Sequence, residues 1–409
     1  MHSLAALALA LLLATASVPS VGWQTNVGGR IYSSPVLYDL DQNASLEILV
    51  CDSEGRQLVC LDSQGAILWR YGGPHLFRSR LTATPAVAPV DRDPQPDIFV
   101  AGSDGQLARL RPDGSEVWRI QLPGAVNWSG PSILSRPFPL ILVGTEDRWL
   151  VAVQPHGAIA WQRRLHGAIG GHPCVADLDG DGAQEIISTA AAAGFYCLDH
   201  LGAFLWRVPA MAGTDGVPVV ARLAPEQAPT IIIATGDGQV LALEAPTRRL
   251  LWRYRTVLHN TSIDNTLALA DLDGDRALEI IFADTAGYLY ALNAQGHERF
   301  VVPIPSGAVS APAIGDVDGD GTVEILAPAE MGDLLCFSSD GRLEWRFAAP
   351  PRLTSSPAIA DVDNDGETEI ILASHNNSVY CLTLHAPFNP ALAPWPAGRN
   401  NPAQTGSLD

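Results

Sequence analysis

Ser355-Ser356-Pro357-Ala358-Ile359-Ala360-Asp361 leads into Val362-Asp363-Asn364-Asp365-Gly366-Glu367-Thr368-Glu369, and then into the apolar run Ile370-Ile371-Leu372. A polar turn follows, and after it Val379-Tyr380-Cys381-Leu382. Short apolar runs separated by Asp, Asn and Gly are strand and hairpin signals. The same order recurs in seven earlier copies, whose equivalents of Asp361 are Asp39, Asp91, Ser135, Asp177, Arg222, Asp271 and Asp316. The seven intervals between Asp39 and Asp361 average 46 residues. No segment after the first 16 residues sustains a 3.6-residue apolar period. Four short strands in a unit of about 45 residues make one propeller blade, so the reading is all-β, an eight-bladed β-propeller.

An aromatic marks the fourth strand of the first seven copies: Trp69, Trp118, Trp161, Trp206, Trp252, Phe300 and Trp345. The eighth copy has none, but Trp23 stands 12 residues before Pro35, as Trp161, Trp206 and Trp345 stand before Pro173, Pro218 and Pro357. Trp23 therefore predicts that the N-terminus donates the outer strand of the last blade and leaves no open join. The tryptophans are expected to pack between blades. Cys60, Cys197 and Cys336 stand nine residues before the aromatic and Cys381 at the equivalent place in the eighth copy, where other copies have Arg109, Ala152, Ala242 (ten before) and Ala291. A column of mostly small residues indicates a tight site in which Cys acts as a small hydrophobe. Free thiols are expected there, with disulfides as the alternative.

The propeller is assigned to residues 23–384. Residues 385–409 form a Pro-rich tail expected to pack on or near it. Residues 1–16 carry the eleven-residue Leu4–Ala14 run and Ala14-Thr15-Ala16, a signal-peptide pattern with cleavage as late as residue 20. The run is too short to span a bilayer. A secreted or periplasmic protein is expected, with no membrane span.

The loops between first and second strands hold the chemistry. Asp177, Asp179, Asp181 and Glu185 recur as Asp316, Asp318, Asp320 and Glu324, as Asp361, Asp363, Asp365 and Glu369, and as Asp271, Asp273, Asp275 and Glu279. Carboxylates at relative positions 1, 3, 5 and 9, with Gly at 6 for a sharp turn, converge hard oxygens on one point. Ca²⁺, with six to eight oxygen ligands, suits that set, and position 7 would add the carbonyl of Ala183, Ala277, Thr322 or Glu367. In one copy Arg276 replaces the Gly. The first copy, Asp39, Asp41, Asn43 and Glu47, substitutes one amide and completes a set of four or five structural sites. The second copy, Asp91, Asp93 and Asp97, is two residues short. The third, Ser135-Arg136-Pro137-Phe138, and the fifth, Arg222-Leu223-Ala224-Pro225, have no carboxylate ladder and are expected to be metal-free.

The 409 residues carry 44 acidic and 25 basic side chains, a formal charge of −19. That balance repels nucleic acid and anionic lipid. All the basic residues are Arg, so lysine-based Schiff-base and P-loop chemistry is excluded. Nineteen of the acids lie in the four complete loops and the first copy, so the excess acid is mostly a set of candidate metal sites.

These loops resemble the calcium loops of FG-GAP/VCBS-type propeller repeats. Segments such as Val240-Leu241-Ala242-Leu243 followed by Leu251-Trp252-Arg253 are similar to quinoprotein (PQQ-type) repeats. The resemblance spans about residues 23 to 384, and Pro394-Trp395-Pro396 to Gly406 resembles a segment at the ends of such propellers. It implies an exported, calcium-binding propeller. No PQQ is expected, because the resemblance would require an adjacent Cys pair and no two cysteines here are neighbours. Activity does not follow from the fold.

Ligands of propellers often sit at the face formed by the connections between blades. On that face most copies offer Ser or Ala, and the exceptions are Arg78, Arg80, Trp128, His172, Asp215, His259, Asp264 and Asn265. A monomeric binding, adhesion or scaffolding module for a glycan or protein ligand is expected rather than an enzyme. The alternative is a polysaccharide-lyase-like enzyme, with Asp215 and Asp264 as an acid/base pair and His172 or His259 assisting.

Overall fold

The computed structural model describes residues 18–91, 94–209, 216–258, 261–263, 266–349, 352–401 and 404–408. The leader lies outside these residues. Eight four-stranded antiparallel sheets follow one another along the chain. Blade 1 is Val36–Tyr38, Glu47–Asp52, Gln57–Leu61 and Ile67–Gly72, and the other blades repeat its order. The second strand is central and buried along its length, which is why it reads as unbroken apolar sequence. The fourth is the outer edge and leaves most of its residues exposed or partly buried.

First strands of consecutive blades touch through most of the ring, and that of blade 8 touches that of blade 1. Blades 5, 6 and 7 share one apolar core, and each remaining junction has its own. Ser20–Asn26 pairs with Ser378–Pro387 as the fourth strand of blade 8, Trp23 opposite Cys381. The ring is therefore closed by its own N-terminus. Elsewhere each outer aromatic pairs with the column of mostly small residues, as in Cys60 with Trp69 and Ala152 with Trp161. All six cysteines are free and buried, and burial pushes the Cys51 thiol up to about 12.

The C-terminal segment threads the axis. It runs antiparallel to the inner strand of blade 7 and beside that of blade 8, where Ile314 donates to the Trp395 carbonyl at 2.8 Å and Ile359 to that of Pro396 at 2.9 Å. It returns beside blades 4 and 5. There Val175 donates to Thr405, Val220 to Gly406 and Leu408 to Val220, each at 3.1 Å. Trp395 is fully buried, and Arg399 donates to the carbonyls of His172 and Pro173 at 3.1 Å each. Among the described residues no helix is long and apolar enough to cross a membrane.

Candidate functional site

Each complete acidic loop is wound around its first aspartate. In blade 4, Gly180 and Gly182 donate to the two oxygens of Asp177 at 2.7 and 3.0 Å. Asp181 donates its amide to Asp179, and Ala183 to Asp181. Glu185, at the start of the second strand, accepts from Leu178 at 2.9 Å. Blade 7 repeats this with Asp316, Asp318, Asp320, Thr322 and Glu324. The loop of blade 6 is alike. In blade 8, Asp361, Asp365, Glu367 and Glu369 are bound likewise, and the Glu367 side chain meets His385. In blade 1, Leu40 donates to Glu47, while Asn43 and Ala44 donate to Asp39.

The turn requires a left-handed residue at position 6. Gly182 has φ 90° and Gly321 has φ 89°, and Ala44 at 75° and Arg276 at 70° adopt the same conformation without glycine. The winding leaves carboxylate oxygens converging. One oxygen each from Asp39, Asp41 and Glu47 lies within 4.8 Å of the others, as in the sets Asp177, Asp179, Glu185 and Asp271, Asp273, Glu279. Blade 7 offers Asp316, Asp318 and Asp320, and also Asp318 and Glu324 with Glu344. The ninth-position glutamates are buried. Burial, reinforced by the loop aspartates, pushes the Glu324 carboxyl up to about 8 and those of Glu185 and Glu369 up to about 7. Hard, convergent oxygens of this kind fit a divalent cation such as Ca²⁺; in blade 6 alone of these loops an Arg299 guanidinium already lies against Asp273 and Glu279.

The incomplete loops are satisfied from within the chain. In blade 2, the buried Arg109 takes the place of a small residue. Its Nε reaches Asp97 Oδ1 at 2.7 Å and its Nη2 reaches Asp97 Oδ2 at 2.8 Å, and the same nitrogen pairs with Asp91. The guanidinium thus bridges the first- and last-position carboxylates of its loop. In blade 3, Ser135 and Arg136 donate their amides to Gln184 Oε1 from blade 4, at 2.8 and 3.1 Å. In blade 5, Arg222 donates to the Gln227 carbonyl. Arg109 breaks the Cys/Ala column, and that charge in an apolar register was the sequence signal for its role.

On the opposite face, Arg78 and Arg80 are exposed and have no ion pair among the described residues. Trp128, 55% exposed, is in the connection into blade 3. Its ring lies edge-on to Tyr32 at 6.0 Å between centroids, and Tyr32 is 4.4 Å from the His375 ring. His375 Nε2 bonds Thr354 Oγ1 at 2.7 Å. Thr82 Oγ1 donates to the Asn127 carbonyl, which ties the Arg80 segment to the Trp128 segment. Tyr32 and His375 carry no repeat signature, and sequence reading missed them. His172 is buried rather than exposed on this face: its Nε2 accepts from Gly130 at 3.3 Å, and Arg399 of the C-terminal segment donates to its carbonyl. Asp215, His259, Asp264 and Asn265 lie outside the described residues.

A family model described as the lambda-carrageenase β-propeller domain matches residues 140–236, and one described as an FG-GAP-like repeat matches residues 271–327. No curated protein matches the sequence. Among solved structures, BamB from Moraxella catarrhalis is 16% identical, with 90% of this chain and 98% of that chain covered and a TM-score of 0.64. Quinohemoprotein alcohol dehydrogenase from Comamonas testosteroni is 11% identical, with 91% and 77% covered and a TM-score of 0.68. The biofilm matrix protein Bap1 of V. cholerae is 12% identical, with 92% of each chain covered and a TM-score of 0.66. At these identities the likeness is one of fold. The chain is a β-propeller that carries an FG-GAP-like repeat over residues 271–327, and its blades share the fold of a quinoprotein propeller.

Proposed function

We propose that the protein is an exported, calcium-stabilised propeller that binds a glycan on the face carrying the connections between blades. Trp128 carries the binding reading. A large ring half open to water is costly unless something covers it, and here it is backed by Tyr32 and His375. A planar indole matches the apolar face of a sugar ring, and Arg78 and Arg80, exposed and with no ion pair among the described residues, suit carboxylate or sulfate groups. The carrageenase match adds a protein whose name gives a polysaccharide substrate. Export rests on the Leu4–Ala16 pattern.

Calcium is supported by Arg109. Where the loop is too short for a cation, the chain brings its own positive group to the same carboxylates. The Asp, Asn and Glu side chains of blades 1, 4, 7 and 8 would hold Ca²⁺, which ties first to second strands and supplies no chemistry beyond charge; in the fifth loop expected from the sequence, that of blade 6, Arg299 already meets Asp273 and Glu279. The metal also stabilises by mass action.

Affinity electrophoresis in λ-carrageenan, a sulfated galactan, and in neutral dextran tests the binding reading. Wild type should be retarded by the first, and Trp128→Ala and the Arg78→Gln/Arg80→Gln double variant should lose that retardation while melting unchanged. Equal mobility of all three would count against it. The carrageenase match also favours a second reading, a polysaccharide-degrading enzyme using Asp215 and Asp264. Release of new reducing ends from the galactan, or of unsaturated oligosaccharides from a uronate-containing polysaccharide, lost in Asp215→Asn and Asp264→Asn, would establish that instead.

A further inference from the structure

One register position on the outer strands changes sign between two adjacent blades. Arg299 and Glu344 each stand one residue before the outer aromatic, Phe300 in blade 6 and Trp345 in blade 7. The same position in the other blades is uncharged: Gly22, Leu68, Val117, Ala160, Leu205 and Leu251.

Both charged side chains reach the acidic loop of their own blade. Arg299 Nη1 pairs with Asp273 and lies 3.3 Å from Glu279 Oε1, so it joins the third- and ninth-position carboxylates. Glu344 joins Asp318 and Glu324, one oxygen of each within 4.8 Å of the others. Its Oε1 also accepts from the exposed Arg342 at 3.1 Å, a screened pair that a divalent cation can displace.

Arg109 supplies the independent observation. It starts from the third strand of blade 2, whereas Arg299 starts from a fourth strand, yet both guanidinium groups arrive among first-to-ninth-position carboxylates. Two unrelated routes to one place mark it as where this fold seats a positive charge.

We propose that the propeller holds a graded set of cation sites. Arg109 and Arg299 close blades 2 and 6 to divalent cations, and Glu344 is an added carboxylate ligand that makes blade 7 the tightest site. This rests on the calcium reading. A resident guanidinium neutralises part of the blade 6 loop and must be expelled before Ca²⁺ can be enclosed. Blade 7 instead gains one negative ligand, and oxygen-site affinity rises with ligand charge.

The test is equilibrium dialysis of the chelator-stripped, full-length protein against ⁴⁵Ca²⁺. Wild type should bind one equivalent for each of blades 1, 4, 7 and 8. Arg299→Gln should gain one equivalent, Arg299→Lys should not, and Glu344→Gln should weaken the tightest class by about tenfold or more without changing the number bound. An extra equivalent already present in wild type and unaffected in Arg299→Gln would overturn the inference alone. No binding by wild type would overturn the calcium reading and the inference with it.

Discussion

Trp23 donates its indole N–H to the carbonyl of Ser63 at 2.9 Å, so the outer strand of the last blade is bonded to the first. The same bond joins other neighbours: Trp69 to Pro112 at 3.0 Å, Trp118 to Pro155 at 2.7 Å, Trp161 to His200 at 3.1 Å and Trp252 to Ala294 at 2.9 Å. Gly65 packs against the Trp23 ring so closely that an added Cβ would lie 2.5 Å from it. The N-terminal strand thus makes at its junction the same indole-to-carbonyl bond that outer strands reached through a hairpin make at theirs.

Trp23→Ala should cost about 2–3 kcal/mol, below the roughly 3–5 of a fully buried aromatic because Trp23 is partly exposed. Trp23→Phe should cost about 1 kcal/mol beyond the lost ring area, for the missing hydrogen bond. Urea denaturation measures both, and a Trp23→Ala midpoint equal to wild type would mean that the ring does not depend on this clasp.

Arg109 and Asp97 form a buried pair, completed by the Pro155 carbonyl at 2.8 Å. Arg109→Met should destabilise by about 3–5 kcal/mol, because the buried Asp97 carboxylate loses its guanidinium partner. Adding Asp97→Leu should recover most of the loss. A double variant no more stable than Arg109→Met would show that the guanidinium acts through packing instead.

His172 is held well below its ordinary pKa, first by burial and then by the nearby Arg399 charge. It stays neutral in the folded chain and takes up its proton on unfolding. Its contribution is therefore complete above about pH 6.5 and is lost as pH falls from there toward the folded value. Between pH 7 and 5, wild type should lose more stability than His172→Asn, by up to about 1.4 kcal/mol per pH unit. Urea titrations at three pH values give the difference, and parallel losses would rule the effect out.

The repeat was legible because each blade buries its central strands and turns at Asp and Gly, which writes short apolar runs into the sequence at a constant interval. Ring closure was legible in the spacing from Trp23 to Pro35. The acidic loops were legible because their winding needs carboxylates at set positions. The course of residues 390–401 and 404–408 was not. That segment makes isolated bonds such as Ile314 to Trp395, to inner strands far away in the chain, and so leaves no periodic trace. Tyr32 and His375 were hidden for a similar reason, since their contact joins loops of blades 1 and 8 that only ring closure brings together. Arg299 was visible as a residue, but its reach into the loop depends on side-chain direction.

Thermal melting of the full-length protein in about 1 mM Ca²⁺ and again in excess EGTA tests the central claim most directly. Each site saturated at a hundredfold excess over its Kd contributes about 2.7 kcal/mol, so chelation should lower the midpoint by roughly 10 °C or more, and restoring Ca²⁺ should return it. A midpoint unchanged by EGTA would contradict the assignment of calcium to these loops.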